Sequence, residues 1–138
     1  MKPGHLIFIP VILVAILIVQ CRHEPENVPI VGDPCHPDTV YFERDILPLL
    51  LSSCAFAGCH DAATASDGVI LDSYSNVKNT GDVKPGNPNG SDLYEVLVED
   101  DEEKRMPKPP YPRLGNDQIA MVRKWILQGA KDLTCDEE

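Results

Sequence analysis

Two things are scarce in this chain of 138 residues: aromatic side chains and positive charge. Three Phe, four Tyr and one Trp offer little large apolar volume for a core, and a large apolar cofactor would relieve that shortage. The formal net charge is -10, so the chain lacks the clustered Lys and Arg with which proteins release counterions from nucleic acids. We therefore expect no nucleic-acid partner and one domain with a modest core.

The length of the N-terminal apolar run favours a cleaved signal over a permanent membrane span. Leu6 to Val19 is fourteen apolar residues long, which makes about 21 Å of helix, whereas the hydrocarbon core of a bilayer is about 30 Å thick. Lys2 precedes this run, which gives it the layout of an export signal. We assign residues 1–20 to a signal peptide.

The residues that end this run predict how the protein is held. Ile18-Val19-Gln20-Cys21 resembles the lipobox of bacterial lipoproteins, in which the Cys is lipidated, although Gln20 occupies a position where that pattern has a small residue. An ordinary cleaved signal and an uncleaved anchor are the alternatives. All three place the domain in a disulfide-permitting compartment, either the periplasm or the outer surface. We expect a lipoprotein held to a lipid membrane through Cys21.

The rest of the chain is predicted to be a tether followed by one helical domain. Residues 21–38 are polar, contain several prolines and show no helix or strand period, which is typical of a tether. Residues 39–138 contain apolar residues at helical spacing, with no internal repeat and no alternating strand of useful length. This pattern predicts a mainly α domain.

Three helices are expected in that domain. The first covers Phe42 to Ser53, with Pro48 loosening it and an apolar face of Ile46, Leu47, Leu50 and Leu51. The second begins after an N-cap at Ser91, and the third lies between a cap at Gly115 and a stop at Gly129. Residues 61–89 are expected to form a loop with a short turn around Tyr74.

The segment Cys54-Ala55-Phe56-Ala57-Gly58-Cys59-His60 carries the chemistry. In c-type haem attachment, two thiols add to the haem vinyl groups, and the His after the second Cys ligates the iron. That pattern has two residues between the cysteines, whereas this chain has four, and the small Ala57-Gly58 step allows the extra residues to bulge. The competing interpretations are a Cys54–Cys59 disulfide, a zinc site that includes His60, and a redox-active dithiol.

Met106 is the candidate for the second axial ligand. It lies in the charged, proline-rich segment Arg105-Met106-Pro107-Lys108-Pro109-Pro110, where a Met has no evident role in a core. A Met paired with a His would fill the iron's coordination shell and raise its potential. The rivals are Met121, which we expect to pack on the last helix, and His36 and His23 in the tether.

Five motifs in order give a family resemblance over Val40 to Ala130. They are V-Y-F-x-x-D-I-L-P-L-L, C-x4-C-H-D, P-G-N-P-x-x-S-x-L-Y, R-M-P-x-P-P and Q-I-x-x-V-x-x-W-I-x-x-G-A. This order resembles the small planctomycete-type cytochrome c domains, which are relatives of class I cytochrome c. The resemblance implies a cytochrome c fold whose first and last helices cross around one haem. It also implies one covalent haem c on Cys54 and Cys59, with His60 as proximal and Met106 as distal ligand.

The implied crossing bears on the remaining cysteines. Cys35 and Cys135 flank the domain, and crossing helices would make those flanks neighbours, so a Cys35–Cys135 disulfide is predicted. With Cys21 lipidated and two cysteines on haem, all five cysteines have a role.

Three functions compete at this point. The first is electron transfer between redox protein partners, which is not an enzyme activity because His and Met leave no open iron position. The second is a haem enzyme or gas sensor with a labile sixth ligand, and the third is a haem-free, disulfide-bonded lipoprotein. For the first, the basic residues around Met106 (Lys104, Arg105, Lys108 and Arg113) suggest a docking ring for an acidic partner. A simpler interpretation is that these are solvated charges, partly neutralised by the acidic residues 99–103.

Overall fold

The computed structural model describes residues 35–135, so the predicted signal peptide, Cys21 and most of the tether lie outside the described residues. Within this range the chain is helical and has no strand, which confirms the mainly α prediction. A π-helical turn (Phe42–Ile46) leads into α1 (Leu47–Ser53), and α2 (Tyr74–Thr80), α3 (Asp92–Val98) and α4 (Asn116–Leu127) follow. None of the helices in the described range has the length and apolar character needed to cross a membrane.

The first helical segment covers the predicted residues, and its buried face includes Ile46 and Leu50 as predicted but not Leu51. Phe42, Ile46, Leu49 and Leu50 are buried, and they follow the i, i+4, i+7, i+8 spacing of one helical face. Leu51 was expected on this face, but it is 45% exposed because it lies one residue beyond that stripe. The register changes from π to α immediately before Pro48, where a missing N–H costs the helix least.

The first and last helical segments contact each other, as the resemblance implied. The Phe42 ring lies 5.4 Å from the Trp125 ring between centroids and 5.2 Å from the Tyr74 ring. Val122 and Ile126 on α4 are fully buried in the same core. Packing large rings from three elements together gives this aromatic-poor chain a single shared core.

The termini of the domain are joined twice. Cys35 and Cys135 form the predicted disulfide across a sequence separation of 100 residues. The side-chain amide of Gln128, at the end of α4, accepts a hydrogen bond from the Val40 N–H at 3.0 Å and donates one to the Asp38 carbonyl at 2.8 Å. Both links hold the segment before the first helix against the end of the last one.

The middle of the chain is more ordered than predicted. The expected turn around Tyr74 is the full helix α2, which is capped by the Ser73 hydroxyl and buries Val77. Ser91 precedes α3 as predicted, but its hydroxyl is not a helix cap. It accepts from the Lys84 N–H at 2.9 Å and donates to the Asn87 carbonyl at 2.8 Å, so it fixes the preceding loop.

Candidate cofactor site

One cavity of about 340 Å³ brings together residues from three parts of the chain. They come from the segment after α1, from the stretch around α2, and from α3 with the proline-rich loop that follows it. The four residues predicted to hold a haem all line this cavity: Cys54, Cys59, His60 and Met106. Much of the remaining lining is apolar, namely Phe56, Val69, Leu71, Leu93, Val96, Leu97 and Tyr111.

His60 is held in one orientation by backbone groups. The backbone N–H of His60 donates to the Cys54 carbonyl at 3.1 Å, and the backbone carbonyl of His60 accepts from the Leu71 N–H at 2.9 Å. Its Nδ1 lies 3.2 Å from the Val69 carbonyl oxygen, which can only accept, so Nδ1 carries the proton. The lone pair of a neutral imidazole is then on Nε2, which leaves that nitrogen able to bind a metal.

The two cysteines of the motif differ in burial. Cys54 is buried and Cys59 is half-buried, and the structure leaves both as free thiols. Burial, with a smaller contribution from the neighbouring Cys59, raises the pKa of Cys54 to about 11. Cys54 is therefore a neutral thiol at physiological pH. This argues against a redox-active dithiol, because such sites depend on a stabilised thiolate.

A disulfide within the motif and a zinc site at His60 lose support as well. Cys54 and Cys59 are not joined to each other. Within residues 35–135, no group of three or more His, Cys, Asp or Glu side chains is placed to hold a metal ion, so a zinc site there has no set of ligands. The cavity is lined by the imidazole of His60, the thioether of Met106 and the thiols of Cys54 and Cys59.

Met106 reaches the cavity from the loop after α3. Its N–H donates to the Val96 carbonyl at 2.8 Å, which fixes the start of the loop on α3. The neighbouring Arg105 is buried and donates to the Pro107 carbonyl. Of the rival ligands, Met121 packs against the core, as expected, and His36 is not part of the cavity wall. His23 lies outside the described residues.

Three of the four basic residues near Met106 are either close to a carboxylate or buried. Lys104 Nζ lies 3.3 Å from an Asp101 carboxylate oxygen, and Arg113 lies 3.8 Å from that of Asp100. Arg105 is buried. These contacts favour the simpler interpretation, in which neighbouring acidic residues neutralise the loop charges, and docking on an acidic partner stays a prediction.

Sequence reasoning missed three participants in the site. Val69 acts through its backbone carbonyl, which has no signal in the sequence. Phe56 lies inside the motif, and its position between the two thiols was the available clue. Tyr111 ends the proline-rich loop, and its ring lies 5.1 Å from the Phe56 ring between centroids.

The described residues form a mainly α domain with a largely apolar cavity that is lined by two thiols, an imidazole and a thioether. Residues 57–110 match the model of a family described as Planctomycete cytochrome C, a stretch that includes Cys59, His60 and Met106 but begins after Cys54 and ends before α4. Searches of curated proteins and of solved structures found no match. The family match makes residues 57–110 similar to a cytochrome c-type domain.

Proposed function

We propose that this protein is an electron carrier with one haem c, bound covalently through Cys54 and Cys59 and ligated by His60 and Met106. The observation that carries the proposal is that these four residues, separated by up to half of the domain in sequence, line the same cavity. The family match over residues 57–110 gives independent support.

The residues present suit such a group. Haem c supplies a one-electron Fe(III)/Fe(II) couple when bound. Cys54 and Cys59 would hold the group through thioether bonds, which form from free thiols, and both cysteines are free thiols here. His60 presents Nε2 because Val69 holds the proton on Nδ1. Apolar walls exclude water and lower the local dielectric, which is one way a protein tunes a redox centre.

Ligation by both His60 and Met106 favours electron transfer over catalysis or gas sensing. A haem enzyme or gas sensor needs an open or labile sixth position. Met106 is anchored to α3 by its own N–H, and a fixed thioether would occupy that position. A haem-free lipoprotein, the third candidate function, gives no reason for two reduced thiols beside an oriented imidazole.

Export and anchoring belong to the same proposal. The N-terminal pattern predicts export by residues 1–20 and lipidation of Cys21, which would hold the domain at a membrane in the periplasm or on the outer surface. The Cys35–Cys135 disulfide supports an oxidising compartment. Radiolabelled palmitate should be incorporated into the wild type and not into Cys21→Ser. Labelling that persists in the variant would contradict the assignment of Cys21.

The competing functions separate in one experiment on protein co-expressed with a cytochrome maturation system. Wild type should cycle reversibly between two oxidation states and should not bind carbon monoxide when reduced. Met106→Ala should bind carbon monoxide readily, while Met121→Ala, the matched control, should behave like wild type. Ready binding by the wild type would favour a gas sensor or a haem enzyme instead.

A further inference from the structure

An aromatic contact links the two segments that present the proposed haem ligands. The rings of Phe56 and Tyr111 lie 5.1 Å apart between centroids, with an interplanar angle of 59°. Phe56 lies between the two thiols, and Tyr111 follows Met106 by five residues. Both side chains line the cavity. This distance is within the range at which aromatic pairs attract each other beyond the effect of buried area.

The loop between Met106 and Tyr111 is built to transmit such a contact. Prolines at positions 107, 109 and 110 fix the φ angles of most of its residues, so the loop has few ways to bend. The Tyr111 N–H donates to the Lys108 carbonyl at 3.0 Å, which closes the far end of the loop on itself. A displacement at Tyr111 is therefore passed along the loop towards Met106.

Tyr111 is not buried in the way that a core residue is. Its side chain is 47% exposed, and Phe56 is half-buried. The ring contact thus adds little to the main core, which is built around Phe42 and Trp125. Its specific consequence is to hold the loop against the segment that carries Cys54 to His60.

We propose that Phe56 and Tyr111 are positioning residues whose ring contact holds Met106 in the cavity wall, where it would serve as a ligand of the haem iron. This inference rests on the proposed function, because it assumes a haem in the cavity. Loss of either ring removes the contact between the loop and the attachment segment, so Met106 would be held less firmly as an iron ligand. An external ligand then competes with Met106 more successfully.

The test measures imidazole binding to the oxidised, haem-loaded protein. Tyr111→Ala and Phe56→Leu should each bind imidazole about 2- to 10-fold more tightly than wild type, the range that an aromatic pair contributes. The double variant should match the single variants, because both remove the same contact. Tyr111→Phe keeps the ring and should behave like wild type. Leu127→Ala removes a similarly exposed apolar side chain on α4, away from the cavity lining, and serves as the control.

A second readout follows the loop itself. The Met106 amide is hydrogen-bonded to Val96, and its hydrogen exchange should speed up in Tyr111→Ala but not in Tyr111→Phe. Unchanged imidazole affinity in Tyr111→Ala overturns the positioning role and leaves the proposed function intact. A wild type without haem overturns the proposed function, and the positioning role with it. Tyr111→Phe resembling Tyr111→Ala shows that the hydroxyl, not the ring contact, is responsible, and also overturns the proposal.

Discussion

Removal of the Cys35–Cys135 disulfide should destabilise this domain strongly. The two residues are 100 positions apart, so the bond closes a loop that includes almost the whole described chain. In the chain-entropy model, a loop of about 100 residues restricts the unfolded state by up to ~4.7 kcal/mol. Small domains are stable by only about 5–15 kcal/mol in total, so this bond is worth a large share of the folding free energy.

Urea unfolding of Cys35→Ser/Cys135→Ser against wild type measures this contribution. Trp125 is the sole tryptophan and is buried, so its fluorescence reports unfolding in both proteins. A loss near ~4.7 kcal/mol corresponds to a fall of about 2 M or more in the urea midpoint, given slopes of about 1–3 kcal/mol/M. Replacing both cysteines avoids leaving an odd reactive thiol.

A reduced wild-type sample is the matched comparison. The Arg44 guanidinium lies 3.9 Å from the Cys135 sulfur, an atom that the Ser variant lacks and the reduced protein retains. Thioether bonds to haem resist thiol reductants, so reduction acts on this disulfide alone. A change below about 1 kcal/mol in both samples would refute the entropic reasoning, since the unfolded chain would then already be as compact as the cross-linked one.

Three further predictions concern single contacts. Gln128→Ala should lower the free energy of unfolding by about 1 kcal/mol in urea titrations, because two backbone groups lose their partner; no change would show that water replaces the amide. Partial burial raises the pKa of the Asp45 carboxyl, but hydrogen bonds from Arg44 and a backbone N–H together bring it below its ordinary 3.8. The stability that this carboxylate contributes is therefore present above pH 3.8 and lost as the pH falls through the lowered pKa. The thermal midpoint of unfolding should depend less on acid pH in Asp45→Asn than in wild type. Equal dependence in the two proteins would contradict this assignment. Iodoacetamide at about pH 8 should modify neither Cys54 nor Cys59 in the haem-loaded protein. In protein made without haem attachment, Cys59 should react well before Cys54, because burial raises the pKa of Cys54 to about 11. Equal reaction rates of the two thiols would refute the burial argument.

The helices could be predicted from the sequence where an apolar stripe was long. Val122, Trp125 and Ile126 follow helical spacing on α4, and all three are buried as expected. Leu51 was misplaced because the predicted stripe of the first helix was anchored on Ile46 and left out Phe42. Including Phe42 in the predicted apolar face moves the centre of that face by about one residue position. Neighbouring positions differ by about 100° around a helix, so this change turns Leu51 away from the core.

Short elements and backbone contacts were harder to predict. The helix α2 has seven residues in a segment rich in polar residues, where local propensity is weak and packing of Val77 decides the outcome. Ser91 precedes a helix as its residue type suggested, yet its hydroxyl serves a loop whose shape no local pattern encodes. Among the site residues, the motif pointed to those with distinctive chemistry, whereas Val69 contributes a carbonyl that any residue has.

The docking surface inferred from the charges of the loop stays a prediction. Four basic residues near Met106 suggested a positive docking face, but pairing depends on where the loop places its acidic neighbours. Lys104 and Arg113 each lie near an Asp carboxylate, and such exposed pairs contribute little to stability while they reduce the local field.

The mass of the intact, exported wild-type protein tests the central claim most directly. Co-expressed with a cytochrome maturation system and denatured before measurement, the chain should carry the added mass of one haem, stain for haem on a denaturing gel, and show the absorption spectrum of a six-coordinate c-type haem before denaturation. His60→Ala should alter that spectrum, since it removes the proximal ligand. A mature chain with no added mass and two alkylatable thiols at Cys54 and Cys59 would contradict the account.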